Sequence, residues 1–349
     1  MNDPKALAPD AAMENGGPGE MSLERRFLNL RTLVSFGVAF AILYFVFRQM
    51  NLNVRDIAAH IANANPLLYL AALITYYSTF IIRSLRWKLL LQNVGFGRSS
   101  VHRLPSVAGL GEIIFLSWFA NCIMPAKLGD AYRAYLLKRN ADVSFSKTFG
   151  TILAERIVDL LLTFALLAIT GLLAFHGTIP STILVGMQAS LGLVVAVVVG
   201  LLAMRNLGAL IRRMLPVRLH RYYGAFEEGT LHSFRQLPLV LLYSLLAWIV
   251  EAGRLYLVIL SLGLTGIGFP VVLFTAIAGS LLTSLPGTPA GLGFVESVII
   301  GILLISGSLG LVSGIDQDTA TSVAILDRTI SYWSLVLFGL VAYVLSKKK

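Results

Sequence analysis

The chain has 349 residues, of which 56% are hydrophobic and only 13% are charged. Soluble domains carry roughly 25% charged residues, so the composition excludes an ordinary soluble protein and is typical of an integral membrane protein. The net charge of +10 does not indicate nucleic-acid binding, because the basic residues lie in short segments between apolar runs.

The apolar runs predict a chain that crosses the membrane several times. Residues 1–24 are polar and rich in Ala, Gly and Pro, which predicts a disordered cytoplasmic tail. A spanning helix needs ~20 mostly apolar residues. By that rule we predict six full spans, in chain order 30–47, 66–87, 148–174, 182–204, 238–262 and 319–346. Two further apolar stretches, 106–137 and 270–312, are interrupted by proline and glycine.

The lysines and arginines orient these spans, because basic loops lie on the cytoplasmic side. Three segments are basic, 83–105, 127–147 and 205–235, and the chain ends in three lysines. Two others, 175–181 and 261–269, contain no lysine or arginine. We therefore expect both termini in the cytoplasm, with the protein in the cell (inner) membrane. Both ends of each interrupted stretch then fall on one side of the membrane, which predicts two re-entrant hairpins of opposite orientation.

The predicted fold is an all-α polytopic membrane protein built as an inverted repeat. The first membrane half is 25–204 and the second is 238–349, with a cytoplasmic amphipathic linker at 205–237. The linker places apolar and aromatic side chains on one helical face, which is typical of a helix lying on the membrane surface. A solvated loop is the alternative, since Gly224 and Gly229 weaken a helix.

Each interrupted stretch contains a helix break, and a span with an acid–arginine pair follows it. The first break reads "NCIMPAKLGD" (121–130) and is followed by "LAERIVD" (153–159). The second reads "SLPGTPAGLGFVES" (284–297) and is followed by "ILDRTIS" (325–331). Inverted repeats with broken helices form transporter sites near the membrane midplane. The half-helix after each break is expected to direct free N–H groups at an anion.

Prolines and glycines form these breaks because they interrupt helical hydrogen bonding or allow unusual backbone angles. The residues assigned to the breaks are Pro125, Gly129, Pro286, Gly287, Pro289, Gly291 and Gly293.

Charged residues inside the membrane cost roughly 2.5–3.5 kcal/mol each on insertion scales, so several of them need a reason. Arg156 and Arg328, one from each half, are candidates to hold a lipid phosphate. The acids are candidates to position the arginines or to bind a cationic headgroup. The remaining candidate substrate-binding residues are Lys127, Asp130, Arg133, Glu155, Asp159, Glu296 and Asp327.

Two alternatives assign these charges a purely structural role. The acids and arginines can neutralise one another and hold helices together, as is also open for the i, i+3 pair Glu251 and Arg254. The basic residues near the first break can instead extend to the cytoplasmic surface. Trp87 and Tyr132 are predicted to be membrane-interface anchors.

The rest of the composition predicts no cofactor and no metal site. Cys122 is the single cysteine, so an intrachain disulfide is excluded, and the five histidines show no ligand spacing. No Walker motif is present, which argues against ATP as the energy source.

Three motifs, "NCIMPAKLGDAYRAYLL", "LAERIVD" and "LPGTPAGLGFVES", together resemble the lysylphosphatidylglycerol-synthase transmembrane region, also called the flippase-like domain family. The resemblance covers about residues 30–346. This chain has Asp130 where the family has Glu, and Ala290 where the family has the first glycine of its third motif. The resemblance implies movement of a lipid or lipid-linked headgroup between leaflets. We expect the aminoacyltransferase domain of better-known members to be absent and a separate lipid-modifying enzyme to be a partner.

The leading hypothesis is a translocase for an anionic or zwitterionic lipid, with a central polar cavity that opens alternately to each leaflet. The expected partners are membrane lipids, either an anionic or aminoacylated phospholipid or a polyprenyl-linked lipid. One alternative is an intramembrane enzyme that acts on a polyprenyl-phosphate or phospholipid headgroup, because paired carboxylates can serve as general acid and base. Another is a secondary transporter for a small solute, which an inverted repeat also permits.

Overall fold

A computed structural model describes most of the chain. The described residues are 52–97, 103–124, 128–174, 181–283 and 288–348, with the separate positions 37, 41, 44 and 48. The predicted tail and most of the first predicted span lie outside them, as do four residues assigned to the breaks or the site, Pro125, Lys127, Pro286 and Gly287. In the ranges that are described, every regular element is a helix and there is no strand.

The helices of the described ranges are numbered here in chain order. They are α1 (Val54–Ala62), α2 (Pro66–Asn93), α3 (Val107–Ile123), α4 (Leu128–Ala141), α5 (Phe145–Ala174), α6 (Ser181–Met214), α7 (Val217–His232), α8 (Leu237–Ser261), α9 (Phe269–Leu282), α10 (Phe294–Ser308), α11 (Gln317–Arg328) and α12 (Leu335–Leu345). A π-helical segment, Thr329–Ser334, joins α11 to α12.

In the described ranges, six helical segments are long and apolar enough to cross a membrane, which confirms an all-α polytopic membrane protein. They are Pro66–Asn93, Phe145–Ala174, Leu184–Met214, Val217–Ser261, Pro289–Ser308 and Gln317–Leu345. Five of them contain or overlap predicted spans. The remaining one, Pro289–Ser308, falls inside the second stretch that we predicted to be re-entrant.

The helices beside the breaks are short. Helix α3 has 17 residues and α4 has 14, while α9 has 14 and α10 has 15. At ~1.5 Å per residue each is about 21–26 Å long, less than the ~30 Å hydrocarbon core. Within each half the two short helices pack against each other. The re-entrant arrangement stays a prediction, and these lengths are compatible with it.

Helices α2 and α8, one from each half, pack side by side in opposite directions and join the two halves. At one end the Asn65 N–H donates to the Ser261 carbonyl at 2.7 Å. At the other end the Asn93 side chain donates to the Ser233 carbonyl at 2.9 Å. Asn65 and Asn93 are as far apart in the sequence as Ser233 and Ser261. If Asn65 corresponds to Ser233 and Asn93 to Ser261, each of the two contacts is the symmetry equivalent of the other. This pairing supports the predicted inverted repeat.

Helix α7, in the predicted linker, packs against the beginning of α5. A Cβ on Gly150 of α5 would overlap the Phe226 carbonyl oxygen, and one on Gly229 of α7 would overlap the Lys147 carbonyl. The glycines therefore permit a close helix crossing instead of breaking the helix. The linker is helical and packed along this face, and its place on the membrane surface stays a prediction.

Candidate functional site

A cavity of about 410 Å³ lies between the two halves. It receives side chains from α2 to α6 of the first half and from α8 to α12 of the second. Its charged lining residues are Arg83, Asp130, Arg156, Asp159, Glu251, Arg254, Asp327 and Arg328. Positive and negative side chains are equal in number in that list. A ligand therefore meets a polar surface whose formal charges already balance.

Glu155 and Asp159 bind arginines in the first half. Glu155 accepts two hydrogen bonds from Arg133, both at 3.1 Å, and its Oε1 lies 2.8 Å from Nη2 of Arg86. The Arg86 guanidinium also donates to both Asp159 oxygens, at 2.5 and 3.1 Å. Its Nη1 donates further to Ser244 Oγ of the other half at 2.7 Å. The two acids on α5 thus neutralise arginines from α2 and α4.

The same arrangement recurs in the second half around Asp327. Arg254 of α8 donates to Asp327 of α11 and to Glu251 at 3.2 Å. Arg254 also lies over the Tyr76 ring of the first half, 5.7 Å from its centroid. Arg86 and Arg254 occupy equivalent positions in α2 and α8. Each binds the acid that directly precedes the arginine of the "ER" or "DR" pair in its own half.

The arginines of those pairs, Arg156 and Arg328, bind the short helices that follow the breaks. Arg156 donates to both oxygens of Asp130, at 3.0 and 2.7 Å. Arg328 donates to Glu296 at 2.8 Å and to the Ala290 carbonyl at 3.2 Å. The four residues Asp130, Arg156, Glu296 and Arg328 were all predicted to bind a phosphate or headgroup. Each of them therefore already has a partner within the protein.

We expected the half-helix after each break to present free N–H groups to an anion. For one N–H group at each break this expectation is wrong, because the group is already hydrogen-bonded. The Gly129 N–H donates to Asn121 Oδ1 at 2.8 Å, and the Gly293 N–H donates to Glu296 Oε2 at 2.7 Å. An acid also lies in the first turn of each following helix. The positive helix ends are thus occupied by the protein's own side chains, which satisfy otherwise unpaired donors.

The second break consists of unusual backbone angles. Pro289 begins a short 3₁₀ turn, and φ is positive at Ala290, Gly291 and Gly293, at 47°, 69° and 89°. Glycine adopts such angles freely, whereas an L-residue is strained there. The break therefore depends on the glycines, and Ala290 is its strained member. In the first half, Gly129 has no room for a Cβ, which would meet the Ser117 carbonyl and Asn121.

Two residues predicted to be interface anchors are buried. The side chain of Trp87 is 0% exposed and that of Tyr132 is 2% exposed. The Arg133 guanidinium stacks over the Trp87 ring at 3.9 Å, and the Trp87 Nε1–H donates to Thr151 at 3.3 Å. Arg133 is itself buried, so it does not extend to a membrane surface. The reason is its bidentate pair with Glu155, which a sequence cannot show.

The structure also corrects the positions of Arg83 and Arg86, which we counted in a cytoplasmic loop. Helix α2 continues to Asn93, so both arginines lie within it and are buried. Arg83 faces Glu251 of α8, with 3.9 Å between Arg83 Nη2 and Glu251 Oε2. The sequence does contain a pattern that indicates the buried positions of Arg83 and Arg86, namely a repeat between the two halves. The series Arg83–Arg86 in α2 and Glu251–Arg254 in α8 have the same spacing, and "PAKLG" and "PAGLG" occur at the two breaks.

No group of three or more His, Cys, Asp or Glu side chains in the described ranges has the geometry of a metal site. Cys122 is free and buried, and its carbonyl accepts from the Tyr332 hydroxyl at 3.2 Å. The chemistry of the cavity is therefore that of arginine and carboxylate.

Comparisons with known proteins agree with the motifs. A UPF0104 membrane protein of Methanocaldococcus jannaschii is 36% identical over 234 residues, 66% of this chain and 95% of that protein. One from Pyrococcus horikoshii is 25% identical over 309 residues, 80% of this chain and 87% of that protein. Glycosyltransferase AglD of Haloferax volcanii is 23% identical over 353 residues, 89% of this chain but 54% of that protein.

A family model described as the lysylphosphatidylglycerol synthase TM region matches residues 32–339. This match takes in both helix breaks, both acid–arginine pairs and the helices that enclose the cavity. The chain is a multi-pass membrane protein that belongs to the lysylphosphatidylglycerol synthase TM region family.

Proposed function

We propose that this protein is a lipid translocase, which moves a phosphate-bearing lipid between the leaflets of the cell membrane. The supporting observation is the cavity of about 410 Å³ lined by charged side chains from both halves. Ligand pockets commonly measure about 300–1,000 Å³, so a phospholipid or lipid-linked headgroup fits while its acyl chains stay outside. The lipid itself is the partner, and a separate lipid-modifying enzyme supplies or consumes it.

The charges give the cavity its proposed role. A polar headgroup that leaves water for hydrocarbon loses its hydrogen bonds, which is the main barrier to spontaneous movement between leaflets. Arginines and carboxylates along the path replace those bonds, and Arg156 and Arg328 are the proposed phosphate ligands in the two halves. Rocking of one repeat against the other would expose such a site to each leaflet in turn.

The protein pairs set a condition on that mechanism. Arg156 already binds Asp130, and Arg328 already binds Glu296. A phosphate must therefore share or displace a carboxylate, and a charge-assisted bond to one partner must be replaced by a bond to the other. Lys127, beside the first break and outside the described residues, is proposed to contribute a further cation.

A second candidate function is an enzyme that acts on a lipid-linked headgroup, since one relative is named a glycosyltransferase. General acid–base catalysis needs a carboxyl group able to exchange its proton with substrate. Each acid that lines the cavity has an arginine nitrogen within 4 Å, so a substrate would compete with an arginine for the carboxylate. A headgroup-cleavage and glycosyl-transfer assay on polyprenyl-phosphate and phospholipid separates the two functions, because only the enzyme releases or forms product.

Reconstitution into vesicles tests the proposal. The purified protein is inserted into vesicles that carry either a fluorescent phospholipid or a fluorescent glucosylceramide, which lacks phosphate. A membrane-impermeant quencher then reports the labelled lipid in the outer leaflet over time. We expect faster movement of the phospholipid than in protein-free vesicles, and no acceleration of the glucosylceramide. Equal acceleration of both lipids, or of neither, would contradict a phosphate-selective translocase.

A further inference from the structure

Arg83 differs from the other arginines that line the cavity. It makes no hydrogen bond to any residue in the described ranges, whereas Arg156, Arg254 and Arg328 each donate to a carboxylate. Its Nε is buried without a partner, as is the Nε of Arg254. The Arg83 side chain is only 8% exposed. A buried guanidinium normally has its N–H groups paired, because unpaired donors lose the hydrogen bonds that they had with water. Arg83 thus presents unused donors to the cavity.

Among the described residues, the one carboxylate within 4 Å of an Arg83 nitrogen is that of Glu251, and the contact is loose. Glu251 Oε2 lies 3.9 Å from Arg83 Nη2, too far for a hydrogen bond, and this oxygen is itself buried without a hydrogen-bond partner. The other oxygen of Glu251 accepts from Arg254 at 3.2 Å. Glu251 therefore stays paired with Arg254 when its contact with Arg83 is lost.

The remaining arginines would give up more to bind a ligand. Arg156 and Arg328 each make a charge-assisted hydrogen bond of 2.7 or 2.8 Å that ties a break helix to a long helix. Arg254 donates to two acids. Breaking such a bond costs about as much free energy as a new bond to the ligand phosphate supplies. Arg83 exchanges only a long ion pair, so a ligand gains most there.

Trp118 orients Arg83. The Arg83 guanidinium carbon lies 4.6 Å from the centre of the Trp118 ring, and Trp118 also lines the cavity. Stacking on the ring face stabilises the cation while it leaves the in-plane N–H groups for a bidentate acceptor. A phosphate diester has two such oxygens at suitable spacing.

We propose that Arg83 is a further phosphate-binding residue of the translocation site, in addition to Arg156 and Arg328, and that Glu251 occupies the phosphate's place beside it while the cavity is empty. This inference rests on the proposed function. The ligand is a phosphodiester headgroup, and free inorganic phosphate shares its chemistry. Arg83 and Glu251 belong to different halves, so a bound phosphate removes an attraction between the halves. Ligand binding is thereby linked to their relative movement.

Two substitutions with opposite expected effects test this assignment. Binding of dihexanoyl phosphatidylglycerol to detergent-purified protein is measured by titration calorimetry for wild type, Arg83→Gln and Glu251→Gln. We expect Arg83→Gln to weaken binding about tenfold or more, because a charge-assisted bidentate pair is lost. Glu251→Gln should tighten binding several-fold, because the competing carboxylate is gone. Arg212→Gln, in an exposed pair with Glu227, is the matched control and should leave binding unchanged.

A purely structural ion pair gives a different result, since both cavity substitutions would then weaken binding together. Unchanged binding in Arg83→Gln would also overturn the assignment. If Arg83→Gln does not fold, Arg83→Lys takes its place, and a loss of affinity with retained charge is the expected result. Tightening in Glu251→Gln is required in either case.

Two further experiments are needed. One distinguishes a lipid headgroup from free phosphate as the ligand, and the other tests the proposed translocase function separately from the role of Arg83. Inorganic phosphate alone should compete with the lipid probe only weakly if the lipid headgroup is the ligand, and equally well if free phosphate is. Movement of a fluorescent phospholipid in wild-type vesicles reports the translocase. If that movement is absent, the proposed function is wrong. If movement occurs but Arg83→Gln binds the probe as wild type does, only the assignment of Arg83 is wrong.

Discussion

At the scale of single residues, Glu155 connects most of the buried charge in the first half. It lies within hydrogen-bonding distance of Arg86 and Arg133, and its side chain is 5% exposed. Two arginines lose their shared counter-charge if it is removed. A buried cation left without its partner is costly, whereas an exposed pair contributes little because water and salt screen it.

We therefore predict that Glu155→Gln lowers the free energy of unfolding by about 3–5 kcal/mol. The matched change Glu228→Gln, in the more exposed pair with Lys147, should cost about 0–1 kcal/mol. Denaturant unfolding in detergent, followed by circular dichroism, gives both values. Similar small losses in the two variants would show that the buried cluster is not what holds α2, α4 and α5 together.

Ala290 lies where the resemblance predicts a glycine, and its backbone is left-handed, with φ of 47°. We predict that Ala290→Gly raises the free energy of unfolding by about 1 kcal/mol, because the left-handed conformation costs an L-residue about 1–2 kcal/mol. Ala278→Gly, inside α9, should instead lower it by about 0.5–1 kcal/mol. The melting temperatures in detergent test the opposite signs, and a loss in both variants would contradict the strained break.

At the scale of elements, the hairpin of α3 and α4 depends on the close approach of Gly129 to α3. A Cβ there would lie 2.6 Å from Asn121 Oδ1 and closer still to the Ser117 carbonyl. We predict that Gly129→Ala separates the two helices and lowers the melting temperature. Gly253 in α8 has no atom within 4 Å of such a Cβ, so Gly253→Ala should be neutral or stabilising by up to about 1 kcal/mol. Equal melting temperatures for the two variants would refute the close approach.

The elements were largely predictable, because long apolar runs and breaks at Pro and Gly are local signals. The pairs Glu155–Arg156 and Asp327–Arg328 were also visible as charges within apolar helices. The partners were not predictable, since Arg133 and Glu155 meet only after the chain has folded. Arg83 and Arg86 were misplaced because the predicted span 66–87 overlaps the basic segment 83–105, and we counted both arginines in that segment as a loop, whereas α2 continues to Asn93. The repeated spacing in α2 and α8 was the missed signal.

At the scale of the whole molecule, the predicted orientation places the basic segment 127–147 in the cytoplasm. It places 313–318, whose only charged residues are Asp316 and Asp318, outside. We predict that, in a Cys122→Ser background, a membrane-impermeant maleimide applied to intact cells labels Ser313→Cys and not Arg139→Cys. Both positions are exposed, so permeabilised cells should label both. Labelling of Arg139→Cys in intact cells would reverse the orientation and, with it, the faces from which the two hairpins enter.

The two halves meet across a cavity whose formal charges balance, and each half ties its own break to its own long helix. Arg156 holds α4 in the first half, and Arg328 holds α10 in the second. In the part of the chain that the structure describes, two ion pairs join the halves, Lys348–Glu112 and the longer Arg83–Glu251, with 3.9 Å between Nη2 and Oε2. Such an arrangement suits relative movement of two intact halves, which alternating access requires.

The central claim is that a lipid headgroup lies in this cavity, and native mass spectrometry of the purified protein tests it most directly. Ser280 lines the cavity, and no described ion pair includes it, so Ser280→Trp fills the space without removing a charge. Ser308→Trp, at an exposed position, is the matched control. We predict that wild type and Ser308→Trp retain a phosphate-bearing lipid and that Ser280→Trp does not. Equal retention by all three proteins would contradict a headgroup site between the halves.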